Sequence, residues 1–255
     1  MKKLKKMWCS IPRPIRAVGN MICIVLLCFA FYYLTDAPVL TMEQAFRRTE
    51  KANFVGPSKI LVNEAVEAFD FNHMIVAETE MGVITYVRDD SQKSVWDDFY
   101  YFPKTGAITV VAAPTRGLPL WMIDFNAKVP IFVVDEYPAA VRAELELYIT
   151  GSFPYYDDNG EDCTQPLNQR FSAEAWRYSE KSCFRFSLDT TGIKNEVQRR
   201  EKGCALEALS YAFSDYWSKA KNATITATVR LYDKDENLII EQKQILTPYV
   251  KEASR

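Results

Sequence analysis

The densest cluster of chemistry-capable side chains in this sequence is Asp157-Asp158-Asn159-Gly160-Glu161-Asp162. Asp157, Asp158, Asn159, Glu161 and Asp162 all carry oxygens, and a hard cation such as calcium gathers about six to eight oxygens at one centre. These five residues are the metal-site candidates. A second acidic run, Asp233, Asp235 and Asn237, matches the first three ligand positions of an EF-hand loop. The match then fails, with Leu238 where glycine is required and Gln244 where a bidentate glutamate is required. Asp233 to Asn237 reads better as a solvated hairpin turn.

The chain holds a single histidine, His73. No mechanism or zinc site that needs two histidines from one chain is therefore open to it. His73 starts an apolar run, Met74-Ile75-Val76, and no GxSxG elbow accompanies it, so a structural role is expected. Adjacent carboxylates occur at Asp89-Asp90, Asp97-Asp98, Asp135-Glu136, Asp157-Asp158 and Glu161-Asp162. Glycoside cleavage needs two carboxyls converging across a cleft, whereas neighbours on a strand point to opposite faces. Most of these pairs are expected at turns, in water. Walker loops, GxGxxG and zinc-ligand spacings are absent, so no cofactor is expected. Cys163, Cys183 and Cys204 are spaced like no CxxC motif; they allow at most one disulfide, and whether one forms stays open.

Elements to position these groups are mostly strands. His73 to Thr79 and Gly82 to Arg88 read as a hairpin about Glu80-Met81. Ala107 to Ala113, Leu120 to Phe125 and Val129 to Val134 follow. Val141 to Ile149 alternates, with Val141, Ala143, Leu145, Leu147 and Ile149 on one face and Arg142, Glu144, Glu146 and Tyr148 on the other. Residues 151–170 are rich in Gly, Pro, Asp and Asn and read as a loop; Cys183 to Leu188 returns to strand. From Asn195 to Lys219, Leu206, Leu209, Phe213, Tyr216, Trp217 and Ala220 recur on one helical face. Thr224 to Tyr232 and Leu238 to Leu246 flank the acidic turn as a hairpin. Hairpins in series with one late helix predict an α+β fold, an antiparallel, sandwich-like sheet domain with one long amphipathic helix packed on it.

The N-terminal part is different. Residues 17–34 carry no charge, and only Gly19 and Asn20 among them are not apolar. As a helix they span roughly 27 Å, close to the ~30 Å hydrocarbon core. Ile22, Ile24, Val25, Leu26, Leu27, Phe29, Phe31 and Leu34 together favour insertion by about 2.5–5 kcal/mol. Lys2, Lys3, Lys5, Lys6, Arg13 and Arg16 all precede the segment, which sets the N-terminus in the cytoplasm. A cleaved signal peptide is the competing reading, disfavoured by the bulky Phe29 to Leu34 and by Pro38 just after the one Ala-x-Ala-like site. The expected organisation is a basic cytoplasmic tail (1–16), a transmembrane helix (17–34), a juxtamembrane helix and linker (35–58) and an extracytoplasmic β-rich domain (59–255). Thr41-Met42-Glu43-Gln44 opens the juxtamembrane helix in capping-box form. Its Arg47, Arg48 and Lys51 suit either lipid headgroups or a solvated face.

Of 31 basic residues those six lie before the segment, leaving 25 against 33 acidic ones and a net charge of −8. Such a surface repels nucleic acid, whose affinity for proteins comes from Lys and Arg neutralising phosphates.

Thr41-Met42-Glu43-Gln44-Ala45 with Val55-Gly56-Pro57-Ser58-Lys59-Ile60-Leu61 resembles segments of uncharacterised single-span membrane-anchored proteins of low-GC Gram-positive bacteria. Ala140-Val141-Arg142-Ala143-Glu144-Leu145 and Val229-Arg230-Leu231-Tyr232-Asp233 are similar to later segments of that group. The resemblance implies a bacterial envelope protein with an N-terminal anchor and a β-rich outer domain, and supplies no catalytic residue. The expected function is a membrane-anchored binding or scaffolding module with a protein or glycan partner in the envelope. The alternative is an envelope hydrolase working through carboxylates.

Overall fold

The computed structural model describes residues 12–34, 41–53, 55–66, 72–89, 96–112, 128–156, 161–178, 181–213 and 220–246. The chain divides into two units, Met1–Ala45 and Phe46–Arg255. In the first, α1 (Arg13–Leu34) is a helix of 22 residues. Its described apolar side chains are all exposed, among them Ile24, Leu27 and Phe29. Among the described residues no helix is long and apolar enough to cross a membrane. That holds for the side chains described in α1, which run to Ala30.

Helix α2 (Met42–Ala52) starts at Thr41, whose Oγ1 accepts the Gln44 N–H at 3.2 Å. Such a cap satisfies a backbone donor that the first helical turn leaves open. Phe46 is fully buried, its ring 5.7 Å from that of Tyr86. Glu50 accepts from the Ser58 N–H at 2.8 Å and from Arg47 at 2.9 Å. Arg47 also donates to the Ser58 carbonyl at 2.9 Å. This cation, expected at headgroups or in water, instead ties the helix to the strand that follows.

The second unit is α+β and its sheets are antiparallel. β1 (Lys59–Val66), β2 (Asn72–Glu78), β3 (Gly82–Asp89) and β4 (Trp96–Pro103) form one meander in that order. β5 (Ile108–Ala112), β6 (Lys128–Asp135) and β9 (Cys183–Asp189) form a second sheet, β5-β6-β9. β7 (Arg142–Tyr156), β8 (Asp162–Trp176), β10 (Ala223–Tyr232) and β11 (Leu238–Leu246) form the third, in the order β11-β10-β7-β8. One hydrophobic cluster draws on all three sheets and on α3 (Glu196–Ala212).

Three expectations fail here. β1 and β4 arise where no strand was expected. A register shift between Ile60 and Val62 turns both Leu61 and Val62 inward and breaks the alternation of β1. β4 contains Asp97-Asp98, which had suggested a turn. The supposed loop 151–170 is mostly the end of β7 and the start of β8, a 15-residue strand. Its inward positions include Gln165 and Gln169, so only Leu167, Phe171 and Ala175 are buried and the two-residue period is masked. Leu120 to Phe125 lies outside the described residues.

Asn195 caps α3 by accepting the Gln198 N–H at 3.2 Å. From Gly203 to Ala212 every residue is buried, not one face alone. The helix lies against β7 and β8 of the third sheet and β6 and β9 of the second. Tyr211 stacks on Phe153 with 5.8 Å between ring centroids. Just beyond the helix, Phe213 meets Phe102 of β4 edge-on at 5.4 Å. A helix covered on all sides needs small and apolar residues all round, which Gly203, Cys204, Ala205, Ala208 and Ala212 supply.

Candidate functional site

Three arrangements gather polar chemistry in the second unit. The first is the outward face of the third sheet, where the alternation of β7 sets Arg142, Glu144 and Glu146 beside Arg230 and Tyr232 of β10. Arg142 donates to Glu144 at 2.7 Å and to Glu236 at 2.6 Å, and lies 4.0 Å over the Tyr232 ring. The Tyr232 hydroxyl donates to the other Glu144 oxygen at 2.9 Å. Arg230 donates to Glu241 of β11 at 2.5 Å. The Arg142 guanidinium holds the Glu144 carboxyl below the usual carboxylate range. Opposite charges across neighbouring strands stabilise a sheet. Arg142, Glu144, Arg230 and Glu241 each meet an opposite charge here, so the face is an ion-pair lattice in water.

The second lies at the end of β6, where the Asp135 side chain is fully buried. Its Oδ1 accepts from the Tyr137 N–H at 2.7 Å and from Arg177 at 3.1 Å. Oδ2 has no hydrogen-bond partner among the described residues. Burial pushes the Asp135 carboxyl up, against the pull of the Tyr137 N–H and Arg177. Arg177 also donates to the carbonyls of Ala140, Tyr137 (2.6 Å) and Lys181 (3.2 Å), and lies 5.0 Å over the Phe184 ring. Close by, Lys104 binds Glu78 at 2.9 Å and Glu136 at 3.1 Å. Glu78 and Glu136 thus converge on an ammonium, which neutralises them as an acid–base pair. Burial lowers the Lys104 pKa, but the two carboxylates outweigh it and leave it raised.

The third is an open cleft of about 560 Å³, lined by Val55, Gly56, Pro57, Thr79, Glu80, Met81 and Tyr101. Gly82 lets the Tyr101 ring close over the hairpin, since a Cβ there would sit 2.5 Å from the ring. Thr79 Oγ1 holds the turn by accepting the Gly82 N–H at 2.9 Å. Glu80 is the one carboxylate among the lining residues.

Of the five metal candidates, two lie among the described residues. Asp157, Asp158 and Asn159 lie outside the described residues, and Glu161 and Asp162 are exposed. Among the described residues no three His, Cys, Asp or Glu come together to hold a metal. Asp233 accepts from the Asp235 N–H at 2.8 Å, the Asn237 N–H at 2.9 Å and the Asn237 amide at 3.1 Å. Its oxygens bind the hairpin turn, as expected. His73 meets Asn63 Oδ1 at 2.7 Å across β1 and β2. Cys163, Cys183 and Cys204 are all free, and burial raises the Cys183 and Cys204 thiols to about 12.

The Asp135–Arg177 centre was not foreseen. Asp135-Glu136 had been grouped with the solvated pairs, yet Asp135 points inward and only Glu136 is exposed. The one available signal was Asp135 closing the apolar run Val129 to Val134, where the next inward position is a strand end. No protein-family model matches the chain, and no curated protein matches it.

Proposed function

We propose that the chain is a membrane-anchored module that presents its β-rich unit outside the cytoplasm as a binding or scaffolding surface of a cell envelope. The observation that carries this reading is the exposure of α1: Leu27 is 68% exposed, Ile24 60% and Phe29 60%. A helix apolar around its whole circumference is stable in hydrocarbon and not in water. Its uncharged stretch, residues 17–34, spans roughly 27 Å at about 1.5 Å per residue, close to the ~30 Å bilayer core. The six preceding basic residues orient it with the N-terminus inside. A binding role is favoured over hydrolysis because the cleft contributes one carboxylate and the converging pair Glu78 and Glu136 is occupied by Lys104.

Membranes washed with alkaline carbonate test the anchor, and a C-terminal reporter active only outside the cytoplasm tests the orientation. The full chain is expected to stay in the membrane pellet, with the reporter active. Release by carbonate, or a silent reporter on an intact chain, would sink the reading.

A further inference from the structure

β11 ends the third sheet, so one of its backbone edges is hydrogen-bonded to no strand among the described residues. Exposed edges are usually blunted by proline, an interior bulge or several charges. The opposite border strand, β8, carries Pro166 and passes toward β9 through a bridge between Arg177 and Phe184. β11 has no proline, and its one register shift falls at its start, beside Tyr232. Along the rest of its length its pairing with β10 is regular.

Its sequence, Leu238-Ile239-Ile240-Glu241-Gln242-Lys243-Gln244-Ile245-Leu246, reads almost alike in both directions about Gln242. Antiparallel pairing of two such strands across a two-fold axis at Gln242 sets Glu241 opposite Lys243 of the second copy, and Lys243 opposite its Glu241. Ile239 then faces Ile245, and Ile240 faces Gln244. Moving the axis one residue either way would set Glu241 against Glu241, or Lys243 against Lys243. Like charges directly opposite destabilise a strand pair, and opposite charges stabilise it. The register at Gln242 is therefore the one that satisfies both charges.

We propose that β11 pairs with β11 of a second copy in this register, joining two four-stranded sheets into one across the two-fold axis. Side chains are already set for it. Arg230 holds Glu241 in the outward row at 2.5 Å, so pairing would extend the lattice from Arg230 through Glu241 to Lys243 of the second copy. Ile245 is 66% exposed, apolar surface that the pairing would cover. Gln242 is held on the core side by donating to the Ile108 carbonyl at 3.1 Å. An isologous contact of this kind closes on itself and gives a dimer, not a fibre. The inference concerns the second unit alone and stands or falls independently of the membrane reading.

The test is self-association of the full chain in detergent micelles, measured by sedimentation over a concentration series. The wild type is expected to dimerise. Lys243→Glu and Glu241→Lys each set two like-charge pairs in the interface and should weaken the dimer tenfold or more. An equimolar mixture of the two variants should associate about as tightly as the wild type, because every charge again meets its opposite. Should Glu241→Lys melt at lower temperature through its loss of Arg230, Ile245→Asp replaces it as a second weakening variant at an exposed position. A wild type that stays monomeric, a dimer indifferent to Lys243→Glu, or a mixture of folded charge variants no tighter than either alone would overturn the proposal.

Discussion

Arg177 donates to Asp135 at 3.1 Å across 42 residues of sequence, so that the end of β8 holds the end of β6 through a carboxylate with no exposed surface. The same guanidinium binds three backbone carbonyls around it. The pair thus closes the segment between β6 and β7 against the start of β9.

Replacing Arg177 by Met should be among the most damaging single changes in the chain. It would leave Asp135 buried with the Tyr137 N–H as its one remaining donor among the described residues, and would take the Arg177 donor from the carbonyls of Ala140, Tyr137 and Lys181, of which Tyr137 keeps the Ala140 N–H and Lys181 the Cys183 N–H. Breaking a buried pair from one side costs about 3–5 kcal/mol. A urea denaturation midpoint compared with the wild type measures it; a loss under about 1 kcal/mol would show the pair to be marginal.

The pH dependence follows from the same carboxyl. Its folded pKa is raised, chiefly by burial, above its unfolded value. Its contribution to stability is then fully present below the ordinary carboxylate range and is lost as pH rises through the folded value. Asp135→Asn removes this titration. Relative to that variant, the wild type should lose stability from the acid side toward neutrality, read as unfolding free energy against pH. In Arg177→Met the loss should run on to higher pH and be larger, because the cation that opposes the upward shift is gone. Parallel pH profiles for wild type and Asp135→Asn would refute the assignment.

Core packing predicts a second group of effects. Phe153 is fully buried and stacks on Tyr211 of α3. Phe153→Ala should cost about 3–5 kcal/mol, the range for large aromatic truncations. Gly151→Ala acts through the backbone: φ is +111°, and a Cβ would sit 2.0 Å from the Asn222 carbonyl oxygen. The variant should lose more than about 1 kcal/mol and loosen the pairing of Gly151 with Ala223. Amide exchange at the β7–β10 border would report that local opening.

Thiol reactivity gives a check that needs no substitution in the core. Cys183 and Cys204 are buried with thiols near 12, whereas Cys163 is half-buried. In the folded second unit an alkylating reagent should modify Cys163 first, and the other two only in denaturant, as mass spectrometry of the peptides would show. Because all three are free, adding a reductant should leave the melting temperature unchanged.

Much of the architecture was legible wherever one face of an element meets water and the other meets the core. Ala143, Leu145, Leu147 and Ile149 are buried as their alternation with charged residues requires. The hairpin at Asp233, the cap at Thr41 and the cap at Asn195 are local hydrogen-bond chemistry, and local sequence spells them out. Those signals were enough to give an antiparallel α+β unit with one long helix.

What the sequence determined by itself was therefore the contrast between polar and apolar faces, the turns and the caps, together with the uncharged stretch 17–34. Tertiary structure decided the rest. Gln165 and Gln169 face inward on β8 because that strand borders its sheet, where an amide still reaches partners such as Glu201 at 3.4 Å. The second half of α3 is buried all round because two sheets and β4 close on it, and periodicity reports a polar face only where water remains. Asp135 is buried because Arg177 arrives from another sheet, and nothing in the residues flanking Asp135 encodes that arrival. Local pattern measures how a segment meets solvent; which distant charge meets which is settled by how the layers pack.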